Sequence, residues 1–487
     1  MLYNSIEFIF LFMPVVLFVY YILAAKVRYV ILAKAALVLF SLIYYSMGGI
    51  MHLPVIVISI LMNFLICKQI ITSQKKEYGK RLLTIGISLN ILCLAYFKYT
   101  DFFLENIGVL LSVDIPLARI TLPLGISFFT FQQVAYLVDA YNKKVRENNF
   151  LNYCLFVSFF PQLIAGPIVH HSEMMPQFSR LRNMLPNYSN LSKGLTYFSI
   201  GLFKKVMIAD VFAAWATSGF NNATDLTFIA AWATSLSYTF QIYFDFSGYM
   251  DMALGIALMF NIRLPFNFFS PYRSLNIREF WQTWHITLGR FLRDYVYIPL
   301  GGNSSSLFVT CRNLFITFVI GGIWHGAGWP FLVWGALHGI AVFCHRIWVE
   351  KFNLKLNAIF SWIITFNFIN ITWIFFRAED YSTAVKILKG MLGFNGLVLP
   401  YELSGVIGPW VEQLNQVSFG SIFLLIGGDL MTLAYLAGGF AFIFLPNSHD
   451  IVAKYKPNVL YFLFIFFTLV IAALNIRSYS EFLYFRF

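Results

Sequence analysis

Residues 307–329, LFVTCRNLFITFVIGGIWHGAGW, carry an apolar run from Leu307 to Ile323 straight into a tryptophan, a histidine and a string of small residues. As a helix, a run of that length crosses most of the ~30 Å of membrane hydrocarbon. An imidazole at its end is costly there unless it is used. Two uses are open to His325: an interhelical packing hydrogen bond, or proton transfer, for which its near-neutral titration suits it. Gly326 and Gly328, which permit close backbone approach, favour the second.

Outward from this stretch the same pattern repeats. Apolar runs occur at about 7–24, 30–46, 53–72, 82–98, 121–139, 150–168, 195–216, 226–260, 306–322, 329–348, 357–376, 420–445 and 457–475. They predict an all-α polytopic membrane protein with about eleven to thirteen transmembrane or re-entrant helices. Composition agrees: 59% of residues are hydrophobic and 19% aromatic, and only 11% are charged, about half the share usual in soluble domains. Mean hydropathy is +0.72. The net charge of +12 is spread in short clusters between apolar runs, a topological signal and not a nucleic-acid-binding face. Lys26, Arg28 and Lys34, then Lys75, Lys76, Lys80 and Arg81, are expected on the cytoplasmic side, which puts the N-terminus outside, and Lys454 with Lys456 before the last helix puts the C-terminus outside too. The stretch from Phe8 to Leu23, with no basic residues before it, reads as a retained first helix. Five scattered cysteines form neither a metal set nor a disulfide framework. No repeat or separate soluble unit interrupts the chain, so residues 1–487 form one membrane domain. Pro and Gly break the runs at Leu122-Pro123-Leu124-Gly125 and Phe160-Pro161 to Gly166-Pro167, where irregular backbone must be buried in protein or face a wet cavity.

Two polar clusters precede His325. Residues 261–303 hold Arg263, Arg273, Arg278, Trp281, Trp284, His285, Arg290 and Arg293, and read as a cytoplasmic-side interfacial or re-entrant segment. Asp245 and Asp251, in Tyr243-Phe244-Asp245-Phe246-Ser247-Gly248-Tyr249-Met250-Asp251, place carboxylates in apolar surroundings. They can pair with Arg263, Arg273 or Arg278, orient a histidine or cap a helix. A base at His325 can deprotonate a hydroxyl acceptor, and His285 can help hold the oxyanion that develops when that hydroxyl attacks a thioester. His338, in Trp334-Gly335-Ala336-Leu337-His338-Gly339, is a further candidate for the same site.

The joint occurrence of Phe280-Trp281-x-x-Trp284-His285 and Trp324-His325-Gly326-Ala327 resembles the membrane-bound O-acyltransferase family, in its bacterial branch devoted to alginate and peptidoglycan O-acetylation. Phe8-Ile9-Phe10-Leu11-Phe12-Met13-Pro14, Tyr96-Phe97-Lys98-Tyr99, Leu122 to Phe128 and Leu163-Ile164-Ala165-Gly166-Pro167 extend the resemblance over nearly the whole chain. It implies a ring of helices around a tunnel, His325 as the catalytic base and His285 on the tunnel wall. Acetyl-CoA is the implied acyl donor, with no metal, and Trp324, Trp284, Arg273, Arg278, Arg290, Asp245 and Asp251 are candidates for binding it or lining its path. Gln282-Thr283 departs from the family, whose members usually carry two arginines there, which bears on how an anionic donor is gripped. The C-terminal Phe482-Leu483-Tyr484-Phe485-Arg486-Phe487, within an extracytoplasmic aromatic motif at 476–487, resembles tails in related acylation systems in which a tyrosine relays the acyl group; here that residue is Tyr484. The resemblance further implies a multi-pass protein of the bacterial cytoplasmic membrane, a periplasmic SGNH-type acetyltransferase partner, and an exported polysaccharide as final acceptor. Alginate or a similar glycan ranks first and peptidoglycan second. A transporter built from the same broken helices, or a noncatalytic scaffold, are the readings from other classes.

Overall fold

A backbone in hydrocarbon must satisfy its hydrogen bonds internally, and this chain does so with helices. The computed structural model describes residues 1–145, 149–222, 224–303, 306–352, 356–411, 416–476 and 482–483. Helices α1 (Met13–Ala24), α2 (Val30–Ser46) and α3 (Leu53–Thr72) lead into α4 (Lys76–Leu111), which runs 36 residues. Next come α5 (Ile126–Tyr141), α6 (Phe150–Ser158), α7 (Phe160–Leu163) and α8 (His171–Ser179). Helix α9 (Tyr188–Phe203) passes through a π turn at Lys204–Ala209 into α10 (Asp210–Thr217), and α11 (Phe228–Met259) follows. The polar segment folds as α12 (Ile277–Thr283) and α13 (Ile286–Leu292), and a π turn at Arg293–Tyr297 precedes α14 (Leu307–His325), α15 (Trp329–Ile347) and α16 (Ala358–Arg377). Beyond α17 (Tyr381–Met391) lie two short parallel strands, β1 (Leu397–Leu399) and β2 (Val417–Phe419), with α18 (Ser404–Val411) between them. The chain continues through α19 (Met431–Phe444), α20 (Ser448–Ala453) and α21 (Val459–Leu474).

Among the described residues, five helices are long and apolar enough to cross a membrane: Ile50–Thr72, Lys76–Leu111, Leu307–His325, Trp329–Phe352 and Ala358–Arg377. Shorter apolar helices lie at Phe8–Ala24, Val30–Ser46, Met431–Phe444 and Val459–Leu474. The run expected at 226–260 is α11, the internal post of the molecule, with nearly every residue buried. It packs on α9 through paired small residues: a Cβ on Gly201 would stand 2.5 Å from the Gly248 carbonyl oxygen, and one on Gly255 2.5 Å from that of Gly194. Two glycines seven residues apart on each helix thus bring the backbones into contact, as small residues do in membrane bundles.

The Pro/Gly breaks fall where the sequence places them. The run at 150–168 splits between α6 and α7, and Ala165, Gly166 and Pro167 leave the helix while staying buried. Gly125 opens α5 at φ 68° with its α carbon against the Leu163 and Ile164 backbone. Non-helical backbone at this depth is covered by protein, as the medium requires.

Candidate active site

The end of α14 sets the site. Ser306 opens the helix, its Oγ accepting the Val309 N–H at 3.5 Å, and α14 turns back against α15 through Gly322 and Gly335. A Cβ on Gly322 would lie 2.4 Å from the Phe331 carbonyl oxygen. The helix stops at Gly326, which is extended and whose missing side chain makes room for the Phe331 ring, 2.1 Å from where a Cβ would sit. Gly328 has no comparable constraint, with its nearest neighbours at 3.6 Å. His325 is buried, its ring centroid 4.9 Å from Trp324, 5.1 Å from Trp334 and 5.0 Å from Phe376.

His285 opens α13 at φ 44°, a left-handed conformation held by the Ile286 N–H donating to the Asn267 carbonyl at 3.0 Å. Its Nδ1 lies 3.2 Å from Asn267 Oδ1. That oxygen also accepts the Thr287 N–H (3.0 Å) and hydroxyl (2.9 Å). A carbonyl oxygen only accepts, so Nδ1 carries the proton and Nε2 the lone pair. The two imidazoles stand 6.4 Å apart, centroid to centroid, close enough for one substrate group to touch both.

Two cavities approach His325, and His285 lines neither of them. A cavity of about 550 Å³ is lined by Arg278, Gln282, Arg290, Arg293, His345 and Arg346 and reaches His325. A second, of about 380 Å³, is lined by Lys98, Gly326, Ala327, Gly328, Arg377 and Leu483 among others. His325 thus lines the first cavity, and the three residues after it line the other.

The structure brings some of the expected residues here and sends others elsewhere. Arg278 and Arg290 line the basic cavity, and Arg290 makes a bidentate pair with Glu173 at 2.5 and 2.9 Å. Trp324 forms part of the packing around both histidines, with its ring 6.4 Å from His285. Trp284 packs on Trp373 at 4.9 Å, one layer behind. Arg273 is remote from the basic cavity; its guanidinium closes the end of α19, donating to the Ile443 carbonyl at 2.7 Å and also to that of Leu445. Asp245 and Asp251 pair with lysines of the π turn and not with arginines: Lys205 to Asp245 and Lys204 to Asp251, each at 2.7 Å. Both adjacent lysines of the π turn thus reach carboxylates of α11. His338 is fully buried, its Nδ1 accepting the Trp281 indole N–H at 3.2 Å, and it lines neither cavity. Tyr484 lies outside the described residues. Its neighbours Phe482 and Leu483 are buried: Phe482 stacks on Tyr249 at 4.4 Å, Leu483 donates its N–H to Asp245 at 2.9 Å, and Leu483 also lines the second cavity. No cluster of three or more His, Cys, Asp or Glu side chains suited to a metal occurs among the described residues.

Sequence reasoning missed the role of Asn267, the partner of His285. Its signal is an amide between two aromatics, Phe266 and Phe268, at a buried position.

Known proteins are similar to this chain in sequence. The pattern of the MBOAT, membrane-bound O-acyltransferase family matches residues 16–378. The chain is similar to the peptidoglycan O-acetyltransferase of Helicobacter pylori, at 45% identity over 100% of this chain and 98% of that protein. It is similar to the probable alginate O-acetylase AlgI of Pseudomonas aeruginosa, at 36% identity over 90% of this chain and 81% of that protein. A more distant similarity, 26% identity over 53% of this chain and 69% of the relative, links it to the teichoic acid D-alanyltransferase of Bacillus subtilis. Helical architecture, paired histidines and these matches lead to one conclusion: the chain is a multi-pass membrane enzyme that belongs to the membrane-bound O-acyltransferase family.

Proposed function

We propose that this O-acetyltransferase takes acetyl from acetyl-CoA at the basic cavity and delivers it to a hydroxyl entering through the second cavity, for O-acetylation of an exported glycan. The observation that carries the reading is His325 on the wall of the basic cavity, with the three residues that follow it lining the second. His325 removes the proton from the acceptor hydroxyl as its oxygen attacks the thioester carbonyl. His285, with its lone pair on Nε2, accepts a hydrogen bond from a water whose other proton is donated to the developing oxyanion. Collapse of the tetrahedral intermediate breaks the C–S bond, and the imidazolium returns its proton to the departing thiolate, so the base is regenerated. Guanidinium groups of Arg278 and Arg290 suit the phosphates of the donor.

The burial of Phe482 and Leu483, the latter on the wall of the second cavity, supports Tyr484 as a relay that carries acetyl outward. From there a periplasmic SGNH-type partner completes transfer to the polymer. Full-length similarity at 45% identity to a peptidoglycan O-acetyltransferase, against 36% to an alginate O-acetylase, favours peptidoglycan as that polymer. This reverses the order that sequence patterns alone suggest. The enzyme then works in the bacterial cytoplasmic membrane, with its basic cavity towards the cytosol.

Replacing His325 with Ala tests the reading. A lost general base lowers turnover by ~10² to 10⁴, so glycan acetylation in cells and acetyl-CoA consumption by membranes should both vanish while the protein stays monodisperse in detergent. Retained acetylation excludes His325 as the base. A transporter would consume no acetyl-CoA even as wild type.

A further inference from the structure

Helix α14 ends abruptly, and an α-helix leaves its last four carbonyls without intrahelical donors. Here three consecutive ones are taken by two neighbouring side chains of α4. Tyr99 donates its hydroxyl to the Ile323 carbonyl at 2.5 Å, and the Lys98 ammonium donates to those of Trp324 (2.5 Å) and His325 (3.0 Å). Lys98 also reaches Ser127 Oγ at 3.4 Å and lies 5.8 Å from the Trp324 ring centroid. It makes no ion pair with a carboxylate among the described residues, so its charge is spent on the helix end, where the backbone dipole is negative. A lysine within a membrane-length helix is costly and is kept for a use. Farther along α4, Asn106 accepts the Trp329 indole N–H at 3.0 Å and Phe102 lies against the same ring, so α4 also grips the start of α15.

We propose that Lys98 and Tyr99 are positioning residues for acyl transfer: their clamp on the carbonyls of residues 323–325 fixes the His325 ring where it reaches the basic cavity. The clamp touches the backbone of the histidine and not the donor's cavity, which separates its effect on turnover from any effect on donor binding. It rests on the reading of His325 as the base. Misplacement of a catalytic group by about 1 Å costs up to ~10² in rate.

The test uses inverted membrane vesicles from the natural host, which retain the natural acceptor, supplied with radiolabelled acetyl-CoA. Initial rates are normalised to the amount of inserted protein by immunoblot. Lys98→Met should lower the maximal rate by at least about ten-fold and leave the half-saturating acetyl-CoA concentration within about two-fold. Lys98→Arg, which keeps charge and donors, should restore most of the rate. A Lys98→Met rate within about three-fold of wild type, or a deficit that appears in half-saturation instead, overturns the clamp. If Lys98→Met does not insert, Tyr99→Phe decides: it should lower the maximal rate alone, and an unchanged rate overturns the proposal. His325→Ala in the same vesicles separates the two readings. An active His325→Ala protein removes the base and the clamp with it, whereas an inactive one beside a normal Lys98→Met removes the clamp only.

Discussion

Arg278 is exposed, lines the basic cavity and makes no ion pair or hydrogen bond among the described residues, whereas Arg290 is held by Glu173 and Arg293 by Asp294 at 2.7 Å. Of these three cations it is the one whose donors are free to meet a phosphate. Arg278→Ala should therefore raise the half-saturating acetyl-CoA concentration about five- to ten-fold at unchanged maximal rate, the signature of lost uniform binding. Gln282 lines the same cavity, so Gln282→Arg, which adds a guanidinium there, should shift half-saturation the opposite way. Saturation curves on membranes check both; a change in maximal rate alone contradicts the assignment. At this scale His325 was legible because an imidazole in an apolar run stands out, and His285 through the resemblance its Trp-His motif carries. Asn267 and the role of Lys98 were not, since each acts through contacts that only folding creates. Lys98 meets the Trp324 and His325 carbonyls across 226 and 227 residues of chain, and no local pattern encodes such a partner.

Among the elements, the π turn at Lys204–Ala209 does most to organise the interior. Lys205, only 3% exposed, bridges Asp245 (2.7 Å) and Asp210 (2.8 Å), and Lys204 holds Asp251, which also accepts the Ser448 hydroxyl at 2.6 Å. Asp245 in turn receives the N–H of Leu483, so this network ties the C-terminal end of the chain to the central helix. Removing one partner of a buried ion pair costs about 3–5 kcal/mol. Asp245→Ala should accordingly lower the thermal unfolding midpoint in detergent markedly. An unchanged midpoint would mean the pair carries no stability. The sequence marked these aspartates as exceptional but offered an arginine, a histidine or a helix cap as their role, and not these lysines. Helical periodicity cannot anticipate an inserted π turn, from which two adjacent lysines reach carboxylates of α11. The Pro/Gly interruptions, by contrast, were readable, because proline and glycine act on their own backbone.

For the whole molecule, the decisive property is sidedness. The basic clusters before α4 and in residues 261–303 predict the cytoplasmic face, and α14 and α16, at about 1.5 Å rise per residue, carry the chain from that face towards the second cavity at Gly326 and Glu379. Gln282 and Glu379 are both exposed, one at each cavity, which makes them matched reporters. In a Cys344→Ser background, which removes the exposed native thiol, Glu379→Cys should react with a membrane-impermeant maleimide on intact spheroplasts. Gln282→Cys should react only after permeabilisation. Labelling of both from one side would mean that the two cavities share a face, and transfer across the membrane would lose its geometric basis. The reversed pattern would instead place the basic cavity outside, away from cytosolic acetyl-CoA, and would invert the positive-inside assignment. The expected pattern leaves His325 as the point where donor and acceptor approach from opposite compartments, so that only the acyl group, and not the bulky charged donor, has to pass.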